Sequence, residues 1–293
     1  MARIISGNRT AEDIVRMHLQ KLQEEAQKPK VPIVGAQPPL PPVAINQPPI
    51  PAATVNPLSL IFQNITCVGA DHKPFEQYDK LSVISDVVRG NGTYNNSTVQ
   101  KHEPFTPYQA ISFFEQRTGL FLPSIALSCN LLVASYQNKN HAAFEALLQQ
   151  YKDYGPGHGY HAQNTVINWG TKHIIHYPGD NDFPEHGGSN NINQSRSHKR
   201  FTFDSTGFSS TTLEDALKMP NFKTYIQNLT GLPDPSVLID IAAYFGKTAR
   251  VWVSSSNETR AAWFGCVSDN LNLYGNYYLN YNSAARGVRL GAP

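Results

Sequence analysis

The chain has 293 residues, a formal net charge of +2 and a charged fraction of 16%, low against the quarter usual for globular proteins. Lys and Arg are scattered rather than gathered into the basic stripe that nucleic acid requires, so no nucleic-acid partner is expected. No apolar run approaches the ~18 residues of a membrane span, so no membrane insertion is expected either, while 40% hydrophobic and 11% aromatic residues are ample for a core.

From the N-terminus, Met1 to Lys30 carries charges throughout and no continuous apolar stretch, so no secretory signal is read there. Synthesis in the cytoplasm is expected, with later association to a virion or cell surface left open. Thr10 can cap a helix whose Val15, Leu19, Leu22 and Ala26 form one apolar seam. The seam is too short to stand alone in water, so residues 1–27 are expected to pair in an oligomer or dock on a partner. Residues 28–57 hold ten prolines between Pro29 and Pro57; this composition predicts an extended polyproline-type spacer. Residues 58–293 form the main domain.

Within it, Leu58–Val68 and Leu81–Val88 read as strands, the second closed by the turn signal Gly90-Asn91-Gly92. Thr106-Pro107 starts a helix by cap and first-turn proline and ends it at Gly119. Ser124 caps a second helix to about Tyr136, and a third runs from His141 to about Tyr151. Thr165–Asn168 and His173–Tyr177 form a hairpin around Trp169-Gly170, and Pro178–Arg200 is a long polar loop. Short helices at Leu213–Met219, Asn221–Leu229 and Pro235–Phe245 precede strands at Thr248–Val253 and Arg260–Cys266. Helices in the middle and strands at the end predict an α+β fold.

Groups able to do chemistry are few. Cys67, Cys129 and Cys266 are odd in number and far apart, with no zinc spacing, and are expected to be buried free thiols. His173 and His176 fall on opposite faces of a strand and cannot share one ion. His158 and His161 could converge in a loop, yet no further ligand follows at a familiar spacing, so no metal and no cofactor is expected. A cysteine or metal-dependent hydrolase using Cys129, His158 and His161, with Asn164 as orienter, is the alternative. It requires a reactive thiol at Cys129, which sits mid-helix among leucines.

The most informative segment lies between Ser268 and Ser283. Apart from Leu271, Leu273 and Leu279, nearly every residue there is Asn, Tyr, Ser, Asp or Gly. Tyr offers large amphipathic contact area, and Asn, Ser and Gly supply adaptable hydrogen bonds, which is the chemistry of a binding surface. Catalysis would need titratable groups with tuned pKa; apart from the tyrosines only Asp269 is present, with no His or Glu beside it in sequence. Composition also admits an Asn-rich turn region between short strands.

Two stretches carry a resemblance. Tyr108 to Ser124, with its helix, Gly119 and Leu122-Pro123-Ser124, resembles the formylglycine-generating-enzyme branch of the C-type-lectin fold. Arg260 to Leu290, ending Ala285-Arg286-Gly287-Val288-Arg289, resembles the variable region of proteins diversified by diversity-generating retroelements. The resemblance implies a C-type-lectin-like domain with helical insertions and a C-terminal variable region at about 260–290. It implies a non-enzymatic binding protein whose partner is a protein or glycan. The ligand-binding positions it implies are Ser268, Asp269, Asn270, Asn272, Tyr274, Asn276, Tyr277, Tyr278, Asn280, Tyr281 and Asn282, pointing outward. Leu271, Leu273, Leu279 and Arg286 to Arg289 are implied as scaffold.

Overall fold

The computed structural model describes residues 60–83, 92–94, 97–99, 105–116, 119–152, 161–183, 196–281 and 284–290. The N-terminal helix, the Pro-rich spacer, His158 and Asn282 lie outside them, and of His161 only the backbone is described. Ile61–Val68 (β1) and Pro74–Val83 (β2) pair as an antiparallel hairpin. β2 begins earlier than its sequence predicts. Glu76, on this strand, is buried, so the stretch lacks the polar-out alternation by which a half-buried strand is recognised. A short ribbon, Gly92–Tyr94 (β3) with Ser97–Val99 (β4), follows.

Pro107–Glu115 (α1) starts on a capping box: Gln109 N–H donates to Thr106 Oγ1 at 3.2 Å, and Thr106 N–H donates to Gln109 Oε1 at 3.0 Å. Pairing of this kind satisfies two of the donors that a helix start leaves open. Leu120–Phe121 (β5) leads to Ile125–Gln137 (α2), capped by Ser124, whose Oγ accepts from Leu127 N–H at 3.1 Å. Ala142–Lys152 (α3) is the third helix.

His161–Asn168 (β6) and His173–His176 (β7) form the hairpin that the sequence predicts, followed by Lys199–Thr202 (β8) and Thr211–Thr212 (β9). Three short helices come next: Leu213–Leu217 (α4), Pro220–Thr230 (α5) and Val237–Tyr244 (α6). The chain closes with Thr248–Trp252 (β10), Thr259–Val267 (β11), Asn270–Tyr277 (β12), Ala284–Ala285 (β13) and Val288–Leu290 (β14). The fold is α+β.

The main sheet has the order β8-β7-β6-β11-β12-β10-β9, with β13 on the edge of β6. A second sheet has the order β1-β2-β14-β5, so the last strand of the chain inserts between early ones. Alternation along the central strands sends side chains to two separate cores. Leu271 and Leu273 of β12, Phe264 and Cys266 of β11 and Val251 of β10 join a core shared with α2, α3, α5 and α6. Tyr274 of β12, Trp263 of β11 and Val166 of β6 join a core shared with α1 and Leu279 on the opposite face. All three cysteines are buried and unpaired with one another.

Candidate functional site

The polar segment is not a surface loop over its whole length. Residues 270–277 are the internal strand β12, hydrogen-bonded to β11 on one side and, in parallel, to β10 on the other. Asn272 is 1% and Tyr274 3% exposed, which corrects the expectation that both point outward. Low β-propensity of Asn hides the strand from sequence reasoning. Two flanking strands bury it regardless. Leu271, Leu273 and Leu279 are buried, as their spacing predicts.

The exposed positions therefore fall into two groups at opposite ends of β12. Ser268 and Asp269 form the β11–β12 turn, held by Lys247 Nζ donating to the Ser268 carbonyl and by Thr248 N–H donating to the Asp269 carbonyl at 2.9 Å. At the far end, Tyr278 and Asn280 are exposed, while Asn276, Tyr277 and Tyr281 are half-buried; Asn270 is half-buried next to the turn. At ~3.3 Å per residue the two ends are roughly 25–30 Å apart.

The Tyr277 end carries a continuous row of rings. Trp252 stacks on Tyr274 (centroids 5.8 Å, planes 14° apart), and Tyr274 meets Tyr277 edge-on at 4.8 Å. Tyr277 meets Tyr281 at 5.3 Å, and Tyr281 meets Tyr278 at 5.7 Å. Buried Trp263 supports Tyr277 from below at 5.4 Å. Register explains the row: β10 and β12 align Trp252 with Tyr274, and β11 aligns Trp263 with the same Tyr274. Trp252 is fixed further by its indole N–H, which donates to Asn272 Oδ1 at 2.8 Å.

Guanidinium groups border the row. Arg260 Cζ sits 3.8 Å from the Tyr278 ring centre, a cation–π distance, while its Nη2 bonds Ser256 Oγ at 2.9 Å and pairs with Glu258. This fixes Tyr278, whose side is 48% exposed. Arg250 Cζ lies 5.3 Å from the Trp252 ring. Trp252, Arg250 and Arg260 lie outside the Asn- and Tyr-rich run of the sequence, and only strand pairing brings them to it. Arg286 is buried and donates to Gln150 Oε1 at 2.6 Å, tying the C-terminal segment to α3.

The groups considered for catalysis are placed differently. Cys129 is fully buried, and burial pushes its thiol well above the ordinary cysteine range, which makes a poor nucleophile. Asn164 is buried, with neither side-chain atom hydrogen-bonded among the described residues. His176 is buried, whereas His173 is half-buried with Nδ1 3.0 Å from Thr171 Oγ1; they point to opposite faces as expected. Among the described residues no group of three or more His, Cys, Asp or Glu is placed to hold a metal ion.

One buried polar cluster escaped sequence reasoning. Glu76 accepts from Tyr78 Oη at 2.6 Å, from Tyr177 Oη, and from the capping Ser124 Oγ at 3.1 Å. Burial pushes the Glu76 carboxyl above the usual range, and the hydrogen bonds from Tyr177, Tyr78 and Ser124 pull it partly back. Tyr177 adopts φ 55°, a costly conformation for a bulky side chain. The cluster joins β2 to the end of β7 and the start of α2, a structural junction.

Comparison with protein-family models, curated proteins and solved structures gives no significant match. No helix among the described residues is long and apolar enough to cross a membrane.

Proposed function

We propose that the protein is a non-enzymatic ligand-binding protein whose recognition surface is the aromatic end of β12. The observation that carries this reading is the row Trp252, Tyr277, Tyr281 and Tyr278, partly exposed yet held in place by Tyr274, Trp263, Asn272 and Arg260. Rigid, partly exposed Tyr and Trp side chains lose little rotamer entropy on binding and dominate binding energy where they occur. The ligand-contacting set is Tyr277, Tyr278, Asn280 and Tyr281 with Trp252. Asn272 and Tyr274 act from beneath, and Ser268 and Asp269 lie at the other end of the strand.

The finer architecture we propose is a C-type-lectin-like domain whose C-terminal positions are diversified by a retroelement. Support comes from the pairing of Val288 and Arg289 of β14 with Phe121 and Leu120 of β5, which joins the two stretches carrying the resemblance. Sequencing the DNA beside the gene tests diversification. A near-copy of the codons for residues 268–282, differing mainly at adenines and lying beside a reverse-transcriptase gene, is expected. A locus with no such copy would remove the retroelement. Binding is tested by selecting clones from a random peptide-display library on the folded protein. Tyr278→Ala with Tyr281→Ala is expected to abolish capture at an unchanged thermal midpoint; undiminished capture by the double variant would refute this surface.

A further inference from the structure

Arg250 stands out among the cations of this face. Among the described residues it makes no ion pair and no hydrogen bond, and its Nε is buried without a partner. Glu214 and Asp215, just after its strand partner Thr212, pair with Lys218, and Glu258 pairs with Arg260. Asp269 precedes Asn270, the partner of Thr248, so it lies on the order of 10 Å along the sheet from the Arg250–Asn272 level at ~3.3 Å per residue. Strand pairing fixes Arg250 between Thr212 of β9 and Asn272 of β12. Arg250 is half-buried, with its guanidinium beside the Trp252 ring and no acid paired with it among the described residues. A planar guanidinium in that state favours a carboxylate, which it can grip with two parallel hydrogen bonds.

We propose that Arg250 reads a carboxylate on the partner, and that the partner is a protein segment presenting Asp or Glu beside an apolar or aromatic side chain. This rests on the ligand-binding reading above. Protein is favoured over glycan by the shape of the row. Successive rim rings from Tyr277 to Tyr281 to Tyr278 meet at 78° and 56°, so the surface is ridged, with clefts that suit side chains rather than a flat platform for a sugar ring. Trp, Tyr and Arg together are also the set most enriched where protein partners bind.

The molecule contains its own reporter. Of its three tryptophans, Trp169 and Trp263 are 2% and 1% exposed and Trp252 is half-buried, so a ligand on this face changes the emission of Trp252. A random peptide-display library is selected in parallel on the full chain and on Arg250→Glu, each shown to be folded by its thermal transition. The unaltered chain is expected to enrich Asp and Glu beside aromatic residues, and Arg250→Glu to lose that enrichment in favour of Lys and Arg. Synthetic peptides from the first pool should shift Trp252 emission. Their Asn/Gln counterparts and the Arg250→Gln variant should each weaken binding tenfold or more. If Arg250→Glu fails to fold, Arg250→Gln supplies the comparison. Equal charge composition in the two pools, or equal affinity of acid and amide peptides, overturns the role of Arg250 and leaves the ligand face standing. Failure to select any clone overturns both. A shift of Trp252 emission by an oligouronate and by no peptide overturns the protein partner.

Discussion

The indole N–H of Trp169 donates to the carbonyl of Gly275 at 2.6 Å, pinning the middle of β12 to the β6–β7 turn. Contact is close enough that a Cβ on Gly275 would fall 2.7 Å from Tyr225 Oη and 2.8 Å from Ile167 Cδ1. Both neighbours are fully buried, so either can give way only by displacing the core packed around it. Gly275→Ala is therefore expected to lower stability by about 1–3 kcal/mol, the usual cost of overpacking. Denaturant unfolding measures it, and an unchanged midpoint would show that the core can yield here.

Buried and rim tyrosines of the same segment should behave in opposite ways. Tyr274 is 3% exposed within the second core, so Tyr274→Ala is expected to cost about 3–5 kcal/mol, as large aromatic truncations do. Tyr278 and Tyr281 lie at the rim, and their double alanine variant should stay within about 1 kcal/mol of the unaltered chain. Similar losses in the two variants would mean that the whole run is core and that no separate binding rim exists.

How much of this could be read in advance follows from which signals are local. Caps were legible, because Thr106-Pro107 and Ser124 act within one helical turn. Leu271, Leu273 and Leu279 were legible as anchors, since apolar spacing survives in an otherwise polar run. Burial of Asn272 was not, because it depends on β10 arriving in parallel from the far side, an arrangement with no local trace. Glu76 misled in the same way: besides the nearby Tyr78, two donors from distant positions, Ser124 and Tyr177, make its burial tolerable. Arg250 and Trp252 belong to the candidate site only through strand register.

Cys129 gives a direct check on the hydrolase alternative. Its thiol is fully buried and held neutral by that burial. Native protein is expected to resist alkylation at Cys129, with labelling complete only after unfolding. Rapid stoichiometric labelling of Cys129 in the folded chain would bring a nucleophilic role back into consideration.

The buried imidazole of His176 predicts a pH dependence with a definite sign. Its Nε2 is 2.9 Å from the Asn228 carbonyl, which can only accept, so Nε2 carries the proton. Nδ1 lies 3.0 Å from Thr165 Oγ1, which already accepts from Ile125 N–H at 3.1 Å and so donates its own hydrogen to the ring. The arrangement suits the neutral ring. Burial pushes His176 down to about 4, against the pull of the Asn228 carbonyl. An unfolded histidine titrates near 6.5. Between those values the unfolded chain binds the extra proton, so this group's contribution to stability is complete above pH ~6.5 and is lost as pH falls toward ~4. Its full size is on the order of 3 kcal/mol. Glu76, raised by burial, works in the opposite direction by favouring the folded state at acid pH, so the total curve mixes the two. The difference between the unaltered chain and His176→Gln separates them, since Gln retains a donor for Asn228 but does not titrate. Unfolding free energies measured from pH 7 to 4 should converge as pH falls. Parallel curves would show that His176 is not held neutral by the fold.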